Sequence, residues 1–138
     1  MEIALVSFLG VILGAFLQYL FTKHLEDCKH IRSLRKEAYT DYLKCVADHA
    51  NPTSKKSNDL ASRTADAKCR VGLYATPTVI KSFADFERLG ATMNTKDQMD
   101  AFTHMVMMMR KDSESPGQPL ATDLQVVLLG QRKHIKSR

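Results

Sequence analysis

The sequence lacks the short motifs through which many enzymes hold phosphates, hydrides, metals or acyl groups. It contains no P-loop, no GxGxxG, no HExxH and no GxSxG. Nucleotide hydrolysis, hydride transfer, zinc proteolysis and esterase chemistry therefore lack their usual residues. We expect no catalytic residues and no cofactor, and we predict that the protein is not an enzyme.

Cysteine is also scarce, because the chain has only Cys28, Cys45 and Cys69 and no CxxC pair. An odd number of unpaired cysteines suits a reducing compartment, where we expect all three to be small buried apolar residues. His24 and Cys28 lie four residues apart, yet two ligands do not make a closed zinc site and the other histidines add none at a useful spacing. The sequence predicts no metal site.

Charge is absent from residues 3 to 21, which read IALVSFLGVILGAFLQYLF. A helix needs roughly 20 apolar residues to cross a hydrocarbon core of about 30 Å, so this run is long enough for one membrane-spanning helix. The alternative is a cleaved signal peptide. It fits less well, because the preceding charge is Glu2, the apolar run is too long, and no small-x-small cleavage site precedes Lys23. We predict an anchor at residues 1–22.

The basic residues beside this run predict its orientation. None precedes the run, whereas five follow it closely: Lys23, Lys29, Arg32, Arg35 and Lys36. Lysine and arginine accumulate on the cytoplasmic side of membrane helices. We therefore expect the N-terminus outside and the C-terminal domain in the cytoplasm.

Small and polar residues recur on one face of the predicted anchor, at Ser7, Gly10, Gly14 and Gln18. The GxxxG pair lets two helix backbones approach closely, and the glutamine can hydrogen-bond across such a contact. The alternative is chance, since glycine is common in membrane helices. We predict self-association of the anchor and a homo-oligomer.

The remaining chain is predicted to be helical. No proline or glycine occurs between Lys23 and Asn51, so the first helix should continue to the residue before Pro52. Further helices are indicated at 58–74, from Pro77 with Thr76 as its cap, and from Thr95, where Gln98 completes a capping box. The apolar face of the third helix is predicted at Ile80, Phe83, Phe86 and Leu89, and that of the fourth at Met99, Phe102, Met105, Val106 and Met109.

A short apolar segment, residues 123–129, follows a polar linker at 113–119. With a possible cap at Thr122, it could be a helix or a strand, because short apolar runs do not distinguish the two. The predicted fold class is all-α: one N-terminal transmembrane helix that continues into a cytoplasmic bundle of about four helices at 23–130, then a basic tail at 131–138.

The chain is basic, with a net charge of +5. Four of its positive charges lie in the tail, at Arg132, Lys133, Lys136 and Arg138. Such a cluster is attracted to anionic membrane lipid. Membrane lipid is therefore one expected partner.

A second basic set predicts a ligand site. Lys56, Arg63 and Arg70 are seven residues apart on one helical face, and Lys81 and Arg88 are seven apart on the next helix. Phosphate groups, as in a cyclic oligonucleotide or another polyanion, would suit this face, which a symmetric oligomer would repeat. The alternative is a solvated face of ion pairs, because Asp59 and Asp66 each lie four residues before an arginine.

Methionine suggests a different partner. Met105 and Met109 are predicted to be in the core, which leaves Met107 and Met108 partly exposed. An exposed methionine pair is typical of a protein contact. The alternative function is therefore a membrane-anchored scaffold that binds a protein partner.

Three segments carry a resemblance to known proteins: LRKEAYTDYL on the emerging helix, AKCRVGLYATPTVIKSF, and MMMRKDS. With the short anchor before them, they resemble small bacterial single-pass membrane proteins that have a cytoplasmic helical domain. The arrangement of an N-terminal anchor before a cytoplasmic domain is also similar to that of the membrane effectors of type III CRISPR systems, whose cytoplasmic domain binds cyclic oligoadenylate. This resemblance implies an inner-membrane effector in antiviral defence that responds to a nucleotide second messenger.

Overall fold

The computed structural model consists of five α-helices, and it has no strand among the residues that it describes, 2–50 and 57–130. Side chains are described for residues 10–50 and 59–130. The helices are α1 (Glu2–Ala50), α2 (Ser57–Tyr74), α3 (Pro77–Arg88), α4 (Lys96–Asp112) and α5 (Ala121–Leu129). The all-α class is confirmed, and residues 123–129 are helical.

The chain divides into two units, Met1–Leu34 and Arg35–Arg138. We call them unit 1 and unit 2. Helix α1 contributes to both, and it ends at Ala50 as Pro52 predicts. In unit 1, large apolar side chains are exposed along α1, at Val11, Ile12, Leu13, Phe16, Leu17, Tyr19, Leu20, Phe21, Leu25 and Ile31.

Over the described residues, no helix combines the length and the apolar character needed to cross a membrane. The predicted span at residues 3–21 begins in residues 3–9, whose side chains lie outside the described ones.

The core of unit 2 lies where α1 meets the other helices. Helix α1 buries Ala38, Tyr39, Tyr42 and Cys45, which lie on one side of the helix. Helix α2 adds Leu60, Ala67 and Val71, and the fully buried Ala67 allows a close helix contact. Tilted aromatic rings join the layers: the ring centroids of Tyr42 and Phe83 are 4.8 Å apart and those of Phe86 and Phe102 are 5.3 Å apart.

The buried face of α3 differs from the prediction. The helix buries Val79, Ser82 and Phe86, whereas Ile80 and Leu89 are 37% and 43% exposed. A polar residue lies on the buried face because the Ser82 hydroxyl donates to the Val79 carbonyl at 2.9 Å, which satisfies its hydrogen-bonding group. The prediction was wrong for Ile80 and Leu89, because the helix turns Val79 and Ser82 to the core instead.

The helix starts confirm the capping predictions in part. Thr95 and Gln98 form the complete capping box of α4. The backbone N–H of Gln98 donates to the Thr95 hydroxyl at 3.3 Å, and the backbone N–H of Thr95 donates to the Gln98 side-chain oxygen at 3.1 Å. Pro77 occupies the first turn of α3 as predicted, but the Thr76 side chain makes no cap hydrogen bond. Helix α5 is capped by Leu120 and not by Thr122, so that prediction was wrong.

Helix α4 buries Phe102, Met105, Val106 and Met109, as predicted, whereas Met99, also predicted on this face, is only partly buried. Met107 and Met108 are partly buried and pack against the core. The expectation of three buried cysteines holds only for Cys45, because Cys28 and Cys69 are exposed.

Candidate anion-binding site

The basic residues predicted as a ligand site on α2 are engaged with carboxylates. The Arg63 guanidinium lies 3.4 Å from an Asp48 carboxylate oxygen on α1. The Arg70 guanidinium lies 2.9 Å from Asp41 on α1 and 2.9 Å from Asp66 one turn earlier on α2. Lys56 lies outside the described residues. The face therefore joins α2 to α1 through ion pairs.

These contacts shift two pKa values. Burial alone would raise the pKa of the Asp41 carboxyl, but the hydrogen bond and charge of Arg70 outweigh it, so that pKa lies below its usual value. The hydrogen bond to Asp41 raises the pKa of the Arg70 guanidinium in turn. The lowered pKa of Asp41 and the raised pKa of Arg70 both mean that the charged form of each side chain is stabilised by the other.

The two basic residues predicted on α3 share one acid. The Arg88 guanidinium lies 2.8 Å from an Asp85 oxygen, and the Lys81 ammonium lies 4.0 Å from the other. Both cations are exposed. All four described members of the predicted site therefore face carboxylates. Of the two intrahelical pairs that the alternative predicts, Asp66 with Arg70 is present, whereas Arg63 faces Asp48 on α1 instead of Asp59.

A cavity of about 300 Å³ opens elsewhere on unit 2, between α1 and α4. Residues of these two helices line it, together with serines of the loop after α4: Lys36, Tyr39, Thr40, Leu43, Val106, Met109, Arg110, Ser113 and Ser115. The volume is at the lower end of the range for small-molecule sites, about 300 to 1,000 Å³.

The charge of this cavity is positive. Its charged lining residues are Lys36 and Arg110, and no carboxylate lines it. Within the described part of the chain, neither cation has an ion pair with an acid. The Nε atom of Arg110 is buried and has no hydrogen-bond partner among the described residues. A buried donor without a partner is costly, so this atom is a local cost to the packing of Arg110.

Hydroxyl groups occupy the polar part of the lining. The Thr40 hydroxyl donates to the Lys36 carbonyl at 2.7 Å, and the Ser113 hydroxyl donates to the Met109 carbonyl at 2.7 Å. Because these protons are engaged, the two oxygens remain available as acceptors. Leu43, Val106 and Met109 supply apolar surface beside them. The lining therefore suits a ligand that combines an anionic group, N–H donors and an apolar body.

A buried polar cluster supports one wall of the cavity. Tyr39 donates its phenolic hydrogen to the Asp112 carboxylate, whose side chain is only 8% exposed. Arg35 lies 3.5 Å from the other Asp112 oxygen, and its Nε donates to the Tyr74 carbonyl at 2.6 Å. Tyr74 ends α2 and Asp112 ends α4, so this Arg35 cluster holds the ends of two helices against α1.

The environment of the core tyrosines shifts their acidity. Burial raises the pKa of the Tyr39 phenol well above its ordinary value, and the hydrogen bond to Asp112 and the charge of Asp112 raise it further. Burial also raises the pKa of the Tyr42 phenol, with a smaller contribution from the Glu87 charge. Both phenols are therefore neutral in the folded protein at ordinary pH.

Sequence reasoning did not single out Lys36 and Arg110, because they lie on helices distant in sequence. A weak signal exists for Lys36, since no acid lies three or four residues from it, in contrast to Arg70. No group of three or more potential metal ligands occurs in the described residues. The Cys28 sulfur does lie 3.8 Å from the His24 Nε2.

The comparisons with known proteins add no relative. No protein-family model, no curated protein and no solved structure matches the chain.

The tyrosine shifts generate a prediction for alkaline pH. The unfolded chain releases tyrosine protons near pH 10, whereas Tyr39 and Tyr42 in the folded chain keep theirs. The unfolded state then binds fewer protons, so the free energy of unfolding falls as the pH rises above 10. We expect the slope to approach about 1.4 kcal/mol per pH unit for each tyrosine.

Urea unfolding of the full chain at a series of pH values, followed by near-ultraviolet circular dichroism, measures this slope. The Tyr39→Phe variant should have a clearly smaller slope than the native chain. An unchanged slope in that variant would show that Tyr39 ionises equally in both states.

Proposed function

We propose that the protein is a non-enzymatic, membrane-anchored effector that senses an anionic ligand, namely a nucleotide second messenger, and acts through self-association of its N-terminal helix. The observation that carries this proposal is the cavity between α1 and α4, whose lining combines Lys36 and Arg110 with apolar side chains and contains no carboxylate. This site replaces the predicted basic face, whose cations already face acids.

The chemistry of the cavity favours a nucleotide over a simple inorganic anion. A phosphate is a good acceptor for Lys36 and Arg110. A nucleobase supplies N–H donors for the hydroxyl oxygens of Thr40 and Ser113, and its faces suit the apolar side chains. The cavity of about 300 Å³ is small, so it would hold one nucleotide unit of a larger cyclic molecule.

The membrane anchor belongs to the proposal. It is supported by the uncharged residues 3–21 and by the exposed apolar side chains of α1 in unit 1. The basic residues after the run favour an inner-membrane location with the N-terminus outside and unit 2 in the cytoplasm. Antiviral defence is the setting that the resemblance to CRISPR-associated membrane effectors implies.

The proposed self-association uses the face that carries Gly10, Gly14 and Gln18; Ser7 extends the face in sequence but lies outside the described side chains. A Cβ atom added at Gly10 or Gly14 would meet nothing within 4 Å, so both glycines leave open space beside α1. Such space lets a second helix approach closely.

Helix α1 is the element through which ligand binding would act. Lys36, Tyr39, Thr40 and Leu43, which line the cavity, all lie on α1, and so does the GxxxG face. A ligand that binds better to one packing state of α1 shifts the population toward that state. No chemical step is needed for this action.

The first prediction from this proposal concerns the ligand. Cyclic tetra-adenylate should raise the midpoint of thermal unfolding of the full chain in non-ionic detergent, because a ligand that binds only the folded state stabilises it. Arg110→Gln and Lys36→Gln should each weaken binding by about tenfold or more, since a charged hydrogen bond is worth about 1.5–3 kcal/mol.

Arg88→Gln is the matched control, because Arg88 is a surface arginine outside the cavity and should leave binding unchanged. If Arg63→Glu with Arg70→Glu removed binding while Arg110→Gln kept it, the site would be the basic face and not the cavity. No response to cyclic tetra-adenylate or 5′-AMP would contradict the sensor. A single stoichiometric protein captured from membranes would then favour the scaffold.

The second prediction concerns the anchor, and the exposed cysteines provide the measurement. In a Cys28→Ser variant, Cys69 is the remaining exposed cysteine, because Cys45 is buried. We expect a membrane-impermeant maleimide to label Cys69 in bacterial spheroplasts only after the inner membrane is permeabilised. Labelling of intact spheroplasts would place unit 2 outside and would overturn the orientation.

The third prediction concerns self-association. Gly14→Leu should reduce the oligomeric mass of the detergent-solubilised chain to that of a monomer, because the new side chain keeps a second helix at a distance. Gly72→Leu is the control, since a Cβ at Gly72 on α2 also meets nothing within 4 Å. Analytical ultracentrifugation measures the oligomeric mass of both variants, and an unchanged mass for Gly14→Leu would contradict the proposed contact.

A further inference from the structure

His24 and Cys28 form a pair of potential metal ligands one turn apart on α1, within unit 1. The Cys28 Sγ lies 3.8 Å from the His24 Nε2, and both side chains are exposed. Zinc binds a cysteine sulfur at about 2.3 Å and a histidine nitrogen at about 2.0–2.1 Å, so two such ligands of a tetrahedral ion lie about 3.6 Å apart. The pair therefore has nearly the separation that one zinc ion requires.

One chain supplies only two of the ligands. A structural zinc ion takes four, and no group of three or more potential metal ligands occurs in the described residues. The acids between the pair, Glu26 and Asp27, point elsewhere: each residue turns the helix by about 100°, which places them about 160° and 100° from Cys28. The two missing ligands must therefore come from outside the chain.

The pair also lies on the face proposed for self-association. Gly14 and Cys28 are fourteen residues apart, and Gln18, Phe21 and Leu25 fall between them at steps of four and three. This spacing forms the seam of two helices that cross at about 20°, the usual angle in membrane bundles. Phe21 and Leu25 are exposed in the single chain, so a second helix would cover them.

We propose that two parallel copies of α1 bind one zinc ion through His24 and Cys28 of each chain. Chains anchored in one orientation are parallel, so like residues meet across a two-fold axis. Packed helix axes are about 8–10 Å apart and Cα atoms lie about 2.3 Å from their axis, which leaves facing Cα atoms about 4–6 Å apart. Two facing cysteines can therefore reach one ion. Their thiolates balance the charge of Zn²⁺, and two neutral imidazoles complete a tetrahedral S₂N₂ set.

This inference rests on the self-association in the proposed function and not on the cavity or its ligand. The pair follows the uncharged run of residues 3–21, so the ion would lie about 5–10 Å beyond Phe21, where the helices leave the proposed membrane. The first Lys, Arg, Asp or Glu on this face is Arg32, one turn after Cys28. Zinc would therefore hold the two helices together at the end of their apolar seam.

Cobalt(II) tests the ligands, because it replaces zinc and its absorption spectrum reports tetrahedral thiolate coordination. Under reducing conditions in non-ionic detergent, we expect the full chain to bind one cobalt ion per two chains and to release it to zinc. His24→Ala and Cys28→Ser should each remove the absorption. His30→Ala and Cys69→Ser are the matched controls and should keep it, because His30 lies on the opposite side of α1 and Cys69 is exposed on α2.

Gly14→Leu tests the contribution of the second chain. This variant keeps both ligands but loses the proposed helix contact, so it should lose the absorption at concentrations where the native chain keeps it. Undiminished uptake by Gly14→Leu, or one ion per chain, would place the site in a single chain and overturn the inference. The oligomeric mass in EDTA separates the two hypotheses. An oligomer that binds no cobalt would overturn the zinc site alone, whereas a chain that is monomeric with and without zinc would overturn the self-association as well.

Discussion

The arrangement of unit 2 depends on the contacts of Arg35. One side chain binds the last carbonyl of α2, at Tyr74, and the carboxylate that ends α4, at Asp112. An acid at the end of a helix is unfavourable next to the helix dipole, and a buried carboxylate requires partners. Arg35 and Tyr39 supply them, so the ends of α2 and α4 are held at one level of α1.

The same cluster explains why the cavity remains positive. Asp112 directly precedes Ser113 in the cavity lining, yet its carboxylate is bound by Arg35 and Tyr39 and does not line the cavity. Lys36 and Arg110 are therefore not neutralised by the nearest acid. On α2 the situation is opposite, because the charge of Arg70 is balanced by Asp41 and Asp66, which lie against its terminal nitrogens.

Local signals in the sequence predicted the first four helices, but they left residues 123–129 undecided and did not reveal the site. Pro52, the Thr95 to Gln98 capping box and the spacing of Phe102, Met105 and Met109 act locally, so the end of α1 and the start and buried face of α4 were predicted. The face of α3 was only partly predicted, because tertiary packing decides that Val79 and not Ile80 is buried. Lys36 and Arg110 meet only through tertiary packing, which no local pattern encodes.

The contacts between α1 and its neighbours differ in how far water reaches them. Arg63 and Asp48 are both about half exposed, and Arg70 and Asp41 are each about one-third exposed, whereas Asp112 is almost fully covered. Dissolved ions weaken attraction between exposed charges and hardly affect covered ones. The ion pairs between α2 and α1 are therefore more sensitive to ionic strength than the contact of Arg35 with Asp112.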